Sequence, residues 1–192
     1  MPGSGAELAE HLIDRYKLEG VKVVKANPDQ NYYSPSEKVV ALSPDVYHGK
    51  SVTAVAVAAH EVGHAIQFCR DEPVSKLRDK YLGRAHQIQR IGAAILVFAP
   101  IVTLLIKSPV IFMWIGILAV ITMLCSALMY VAILPEEYDA SFNKALPILR
   151  EGYLPEHLMG AAHSVLRAAA LTYLAGALLD VLRLWRWIRL IR

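Results

Sequence analysis

Two histidines four residues apart, with a glutamate directly after the first, carry the most specific chemical signal in this sequence: His60-Glu61-Val62-Gly63-His64. Residues four apart lie on one face of an α-helix, so the two imidazoles can converge on one point. A tetrahedral Zn²⁺ needs such convergence from its ligands. Glu61 is placed to take a proton from a water molecule that the metal activates. The motif therefore predicts zinc-assisted hydrolysis of an amide bond.

The context of the motif has to support it, because a chain of this composition would contain the pattern by chance on the order of one time in a hundred. Ser51 can act as a helix N-cap, and no proline interrupts Ser51–Phe68, which predicts one helix. Ala54–Ala59 is apolar on every side, which is typical of a helix buried all round. Burying two imidazoles and a carboxylate there without a shared partner would be unfavourable, and a metal ion supplies that partner.

The composition indicates a membrane protein. Hydrophobic residues make up 55% of the 192 residues, and they are concentrated in two uncharged stretches, Ile91–Ile106 and Val110–Leu134. As helices these would be roughly 24 and 37 Å long, against a hydrocarbon core of about 30 Å. They predict a transmembrane hairpin. The net charge is only +3 and the basic residues lie beside apolar segments, so nucleic acid is not an expected partner.

Basic residues predict the orientation of this hairpin. Five Lys or Arg lie from Lys76 to Arg90, whereas the loop at the far end has only Lys107. By the positive-inside rule, the side that carries His60 faces the cytoplasm. The first residues lack the features of a cleavable signal peptide, so we expect membrane insertion to depend on the internal segments. The two cysteines are too few for a disulfide framework, which suits a reducing compartment.

A third zinc ligand has to come from another part of the chain, because catalytic zinc usually takes three protein ligands and one water. Two spans return the chain to the side of the motif, where Glu136 and Glu137 emerge directly. The extended metzincin pattern is excluded, since Arg70 stands where it requires histidine. His86 and His163 are isolated, and we expect them to be ordinary surface or core residues. The chain topology thus permits a ligand in the acidic segment.

Three segments resemble one known family in order and spacing: Ala58–Gln67, Leu134–Ser141, which reads L-P-E-E-Y-D-A-S, and Ala168–Tyr173. With the hydrophobic pair between the first two, they are similar to the bacterial neutral membrane zinc metallopeptidases of the YugP type. These are distantly similar to the HtpX membrane proteases. The resemblance covers most of the chain, from Gly5 to about Leu184.

This resemblance implies a gluzincin-like zinc site. His60 and His64 would be the first two ligands, Glu61 the general base and Glu137 the third ligand. There are departures from the family pattern: Glu136 replaces a usual valine, and Asn31–Pro35 replaces a stretch that often reads D-H-Y-D-P. Family members usually begin with an additional hydrophobic helix, and this sequence starts after it.

The N-terminal part predicts a helix followed by a small β element. Ser4 and Glu7 have capping-box spacing, and apolar residues recur at helical spacing up to Gly20. Two β-like runs follow, Val21–Lys25 and Lys38–Leu42, with turn-rich residues between them. We expect a hairpin or a small sheet. A strand edge there could hold an extended peptide substrate by strand addition.

The C-terminal part, Glu156–Arg192, predicts one long helix. Its uncharged stretch Ala168–Leu179 is too short to span a membrane alone, and four arginines follow among Trp, Leu and Ile residues. We expect a membrane-associated core helix, with a third span over Ala168–Leu184 as the alternative. Tyr173 and His163 are candidates for stabilising an oxyanion only because they are polar groups in an apolar helix.

Two other functions remain open from the sequence. In a site-2-type intramembrane protease the third ligand would be Asp180, although the glycine that usually follows such an aspartate is Val181 here. A non-catalytic zinc-binding membrane scaffold would leave Glu61 without a task, and structural zinc sites favour cysteine ligands.

The expected protein is thus a mainly α-helical membrane protein with a small β element and a gluzincin-like zinc metallopeptidase fold. Residues 1–90 and 135–192 would form one catalytic domain, split by the transmembrane hairpin at 91–134. We expect Zn²⁺ as cofactor, a protein or peptide substrate, and a multi-pass location in the cell membrane with the site facing the cytoplasm. The sequence predicts neither the cleavage preference nor the oligomeric state.

Overall fold

The computed structural model describes residues 3–178 and residue 182. This part of the chain is mostly helical, with a small three-stranded sheet. It forms two units. The sheet unit comprises residues 3–76 and 135–171, and the hairpin unit comprises residues 77–134 and the described residues from 172 onward. The chain therefore leaves the sheet unit, passes through the hairpin unit and then returns.

The sheet unit begins with helix α1 (Gly5–Arg15), which starts as the capping sequence predicts. Ser4 Oγ accepts a hydrogen bond from the Glu7 main-chain N–H, and the Glu7 carboxylate accepts one from the Ser4 N–H at 2.6 Å. This capping box satisfies two N–H groups that a helix start would otherwise leave unpaired. The helix ends before the predicted stop at Gly20. Its apolar face, including Leu8 and Leu12, is buried.

The sheet contains β1 (Lys22–Lys25), β2 (Tyr32–Ser34) and β3 (Val39–Leu42) in the order β1-β3-β2. β1 runs parallel to β3 and β2 runs antiparallel to it. The predicted small sheet is confirmed, but the two predicted runs do not form a hairpin with each other, because they pair in parallel. β2 lies between turn-forming residues, and its two tyrosines, which favour strands, pair with Ala41 and Val40 of β3.

Helix α2 (Pro44–Tyr47) leads into α3 (Val52–Cys69), which carries the histidine motif. Ser51 is its N-cap, and the Ser51 side chain accepts a hydrogen bond from the Ala54 N–H at 3.1 Å. The predicted burial of Ala54–Ala59 is confirmed except at Val57, which is half-buried, and every residue from His60 to Gln67 is also buried. The core around α3 includes apolar side chains from α1, the sheet and the C-terminal helices.

The hairpin unit is built from α4 (Leu77–Ile106) and the greater part of α5 (Pro109–Tyr138). The basic segment that precedes the first apolar stretch is continuous with it in one helix. Both helices are long and apolar enough to cross a membrane. Large apolar side chains are exposed along them, among them Leu104, Trp114 and Leu128. Such a surface suits contact with lipid tails.

The chain re-enters the sheet unit at Pro135, inside α5. The helix continues as a π-helical segment (Asp139–Ala145) and α6 (Leu146–Ile148). A second π-helical segment (Leu149–Tyr153) is broken by non-helical backbone at Glu151 and Gly152, and α7 (Glu156–Ala170) follows. The single long C-terminal helix that the sequence predicts is interrupted at Leu171, where the backbone leaves helical geometry. Residues 172–178 are helical again. Asp180 and the four terminal arginines lie outside the described residues.

Candidate metal centre

Three side chains of the sheet unit bring one ligand atom each to the same point. His60 Nε2 and His64 Nε2 lie 3.2 Å apart. Glu137 Oε2 lies 3.3 Å from the first nitrogen and 3.4 Å from the second. These side chains are only 2–6% exposed. The three atoms therefore form a nearly equilateral triangle inside the protein.

The size of this triangle fits zinc. Bonds of about 2.0–2.1 Å in a tetrahedral site place neighbouring ligand atoms about 3.3–3.4 Å apart. A metal ion also accounts for the burial of three ionisable groups at one place, which would otherwise be costly. Among the described residues, this is the one group of three or more His, Cys, Asp or Glu side chains that could hold a metal ion. His60, His64 and Glu137 are thus positioned to bind a metal ion.

Each imidazole also forms a hydrogen bond at its Nδ1 atom, the ring nitrogen that does not face the converging ligand atoms. His60 Nδ1 lies 3.0 Å from Ser141 Oγ, and His64 Nδ1 lies 3.1 Å from Gln67 Oε1. Metal-binding histidines commonly use their second ring nitrogen in this way, which fixes the ring orientation and leaves the other nitrogen free for the metal. The sequence reasoning missed Ser141 and Gln67. Their spacing, four after Glu137 and three after His64, is the signal that could have found them.

The structure distinguishes the two adjacent carboxylates. Glu137 faces both Nε2 atoms, whereas Glu136 Oε1 lies 3.8 Å from His64 Nδ1, on the other edge of that ring. Glu137 lies beyond the apolar stretch, which ends at Leu134. Burial acts to raise the pKa of Glu137, but its polar contacts with the two imidazoles outweigh burial and hold that pKa below its usual range. The site therefore stabilises a negative charge on Glu137, the form that binds a cation.

Comparison with known proteins agrees with this chemistry. Residues 1–192 match the family model described as "Putative neutral zinc metallopeptidase". The chain belongs to this family. It is also 32% identical over 191 residues to "Putative membrane protease YugP" of Bacillus subtilis (strain 168), a match that covers 96% of this chain and 79% of the relative. The chain has no significant match among solved structures. The resemblance that the sequence motifs carried is confirmed, and zinc is the cofactor that the family implies.

Glu61, the predicted base of this metallopeptidase, lies in α3 beside the first histidine. It is 6% exposed and is not one of the three converging groups. Within the described part of the chain, Glu61 Oε2 and Glu137 Oε1 are buried without a hydrogen-bond partner. A buried oxygen without a hydrogen-bond partner is energetically unfavourable. Two such oxygens on residues beside the histidine pair indicate that they bind a metal ion or a water molecule.

The other candidate residues lie elsewhere. The His163 ring packs on Phe142 with centroids 5.2 Å apart, and the His86 ring lies 6.0 Å from that of Tyr130. Tyr173 stacks on the same Tyr130 ring in the hairpin unit. None of these three joins the converging group found among the described residues.

Proposed function

We propose that this metallopeptidase is a membrane-anchored zinc endopeptidase of the gluzincin type. His60, His64 and Glu137 would hold the zinc ion, and Glu61 would be the general base. The observation that carries this proposal is the triangle of Nε2, Nε2 and Oε2 atoms, whose sides of 3.2–3.4 Å suit a tetrahedral ion. The donor set of two imidazoles and one carboxylate leaves a coordination position for water, as catalytic zinc sites do.

The chain's own residues divide the work of peptide hydrolysis. When bound, zinc would lower the pKa of a coordinated water molecule and polarise the scissile carbonyl. Glu61 accepts the proton of the attacking water and later delivers it to the leaving amine. Its buried oxygen without a partner supports this role, because a carboxylate that is already hydrogen-bonded would be a weaker proton acceptor. Ser141 and Gln67 orient the two imidazoles throughout.

The edge strand β2 is the strand that we propose to hold the peptide substrate. It pairs with β3 on one side only, so its other edge can accept an extended chain by strand addition. Tyr33 of β2 packs on Phe68 of α3, with ring centroids 6.1 Å apart. Phe68 lies about one turn after His64. The β2 strand therefore packs against the C-terminal half of α3, which carries both histidines. The substrate would be a protein or peptide in extended form.

The membrane arrangement is also part of the proposal. The stretches Ile91–Ile106 and Val110–Leu134 would cross the bilayer as a hairpin that interrupts one catalytic domain. Both ends of this hairpin connect to parts of the sheet unit, which is consistent with a single domain around it. The excess of basic residues before the first span supports a site on the cytoplasmic side.

The decisive experiment compares the purified wild type with Glu61→Gln on a casein-type substrate, with the zinc content of each protein measured in parallel. We expect zinc in both proteins and activity in the wild type alone, because glutamine cannot accept the proton. Glu10→Gln, the same change on the exposed side of α1, should keep full activity. Equal activity in wild type and Glu61→Gln would overturn the proposal, and bound zinc without activity in either would indicate the scaffold function.

A further inference from the structure

One buried amide connects the two parts of the metal site. Gln67 is completely buried, and its Oε1 lies 3.1 Å from His64 Nδ1. Its Nε2 donates to the main-chain oxygen of Glu136 at 3.0 Å and to Asp139 Oδ2 at 2.8 Å. Gln67 thus joins α3 to the segment that provides Glu137.

These partners fix which way the amide points. A main-chain oxygen and an ionised carboxylate can only accept hydrogen bonds, so the NH₂ group of Gln67 has to face them. Its oxygen then faces His64, and an amide oxygen can only accept. His64 must therefore carry its proton on Nδ1. In a neutral imidazole this leaves the lone pair on Nε2, the atom that lies 3.4 Å from Glu137.

Asp139 is itself held in place. Its Oδ1 accepts a hydrogen bond from Asn143 at 2.7 Å, and its Oδ2 lies 3.2 Å from Lys144 Nζ. Lys144 also contacts Glu72 at 3.0 Å, just beyond the end of α3. A carboxylate fixed on both oxygens cannot rotate away from the amide, so the orientation of Gln67 is maintained.

We propose that Asp139 and Gln67 are positioning residues that hold His64 in the Nδ1–H tautomer and so prepare its Nε2 for zinc. This inference rests on the proposed role of His64 as a ligand. Replacing Asp139 by asparagine supplies a group that can donate as well as accept. The Glu136 main-chain oxygen would then be the one remaining partner of the Gln67 NH₂ group that can only accept. The amide would be held less strongly, and we expect a larger fraction of molecules in which its NH₂ faces His64 and the His64 proton lies on Nε2.

The test uses the full-length protein in detergent and two measurements. Zinc affinity is measured by competition with a chelator, and the His64 tautomer by ¹⁵N imidazole shifts of the zinc-free protein. We expect Asp139→Asn to weaken zinc binding by about 10–100-fold, the range for loss of a partner behind a ligand, and to increase the Nε2–H tautomer. Gln67→Met should weaken binding similarly, and the double variant should bind no more weakly than Gln67→Met alone.

Asp29→Asn is the matched control, since it makes the same chemical change in an exposed turn where asparagine also tolerates the positive φ. It should leave both measurements unchanged. Wild-type tautomer and affinity in Asp139→Asn, or additive losses in the double variant, would overturn the inference. Failure of the wild type itself to bind zinc would instead overturn the proposed function, and the tautomer comparison would still decide this inference.

Discussion

Gly63 lies directly against the main chain of Ala140. A Cβ atom added to Gly63 would come within 2.7 Å of the Ala140 carbonyl oxygen. Ala140 lies between Glu137 and Ser141 in the chain, and Gly63 immediately precedes His64. The absence of a side chain at Gly63 therefore permits the short distance between α3 and the segment that brings Glu137 and Ser141 to the histidines.

Gly63→Ala should destabilise the protein and weaken zinc binding together. The new methyl group would push against backbone rather than a flexible side chain, and overpacking of this kind costs about 1–3 kcal/mol. Urea denaturation and a zinc titration would measure the two effects. Gly160→Ala in α7 is the matched control, because a Cβ there meets nothing within 4 Å. It should be neutral or stabilising by up to about 1 kcal/mol. A wild-type stability and zinc affinity for Gly63→Ala would contradict the argument.

Glu137→Gln should lower zinc affinity far more than Glu136→Gln. Removing the negative charge of a metal ligand should lower zinc affinity more than removing a hydrogen-bond partner of a ligand, which lowers it by about 10–100-fold. The two carboxylates are adjacent and almost equally buried, at 2% and 3% exposure. Each variant is therefore a control for placing a neutral amide at a buried position in this segment. The measurement is chelator competition on the two purified variants. A larger loss for Glu136→Gln would show that the third ligand has been assigned to the wrong residue.

The metal centre shows how much of the structure could be predicted from the sequence alone. The spacing of His60 and His64 predicted their convergence because it depends only on helix periodicity. The acidic segment was predicted from topology, but the choice between Glu136 and Glu137 needed the family resemblance. Adjacent helical residues point about 100° apart, and which of them faces α3 depends on packing.

Other features depend on contacts that no local pattern specifies. β2 has only three residues, too few to show a strand pattern in the sequence, and its pairing with β3 sets its bounds. The π-helical winding after Tyr138 has no marker in the sequence. The spacing of Gln67 places it near His64, but its hydrogen bond to Asp139, 72 positions later in the chain, depends on packing. Tertiary packing decides each of these.

Tyr33→Phe should make the protein less sensitive to alkali. Burial, with a smaller contribution from the Cys69 thiol, raises the pKa of Tyr33 to about 12, whereas an unfolded tyrosine titrates near pH 10. Between these values the unfolded state holds fewer protons, so the free energy of unfolding falls as pH rises through this window. Urea denaturation from pH 8 upward would show a shallower fall in Tyr33→Phe.

The adjacent Tyr32 provides the control for this measurement. It is 42% exposed, so Tyr32→Phe should keep the wild-type pH dependence. If Tyr33→Phe lost stability with pH as steeply as the wild type and Tyr32→Phe, the Tyr33 hydroxyl would not be the buried group responsible.

Thiol labelling should show that the metal site and the loop between the two spans lie on opposite sides of the membrane. Cys69 at the end of α3 is exposed, and it belongs to the unit that holds the metal site. In a Cys125→Ser protein, a membrane-impermeant maleimide should label Cys69 only after spheroplasts are permeabilised. In a protein without both native cysteines, Lys107→Cys should be labelled in intact spheroplasts. Because five basic residues precede the first span and one follows it, the positive-inside rule requires this result. Labelling of Cys69 in intact spheroplasts would place the site outside the cytoplasm.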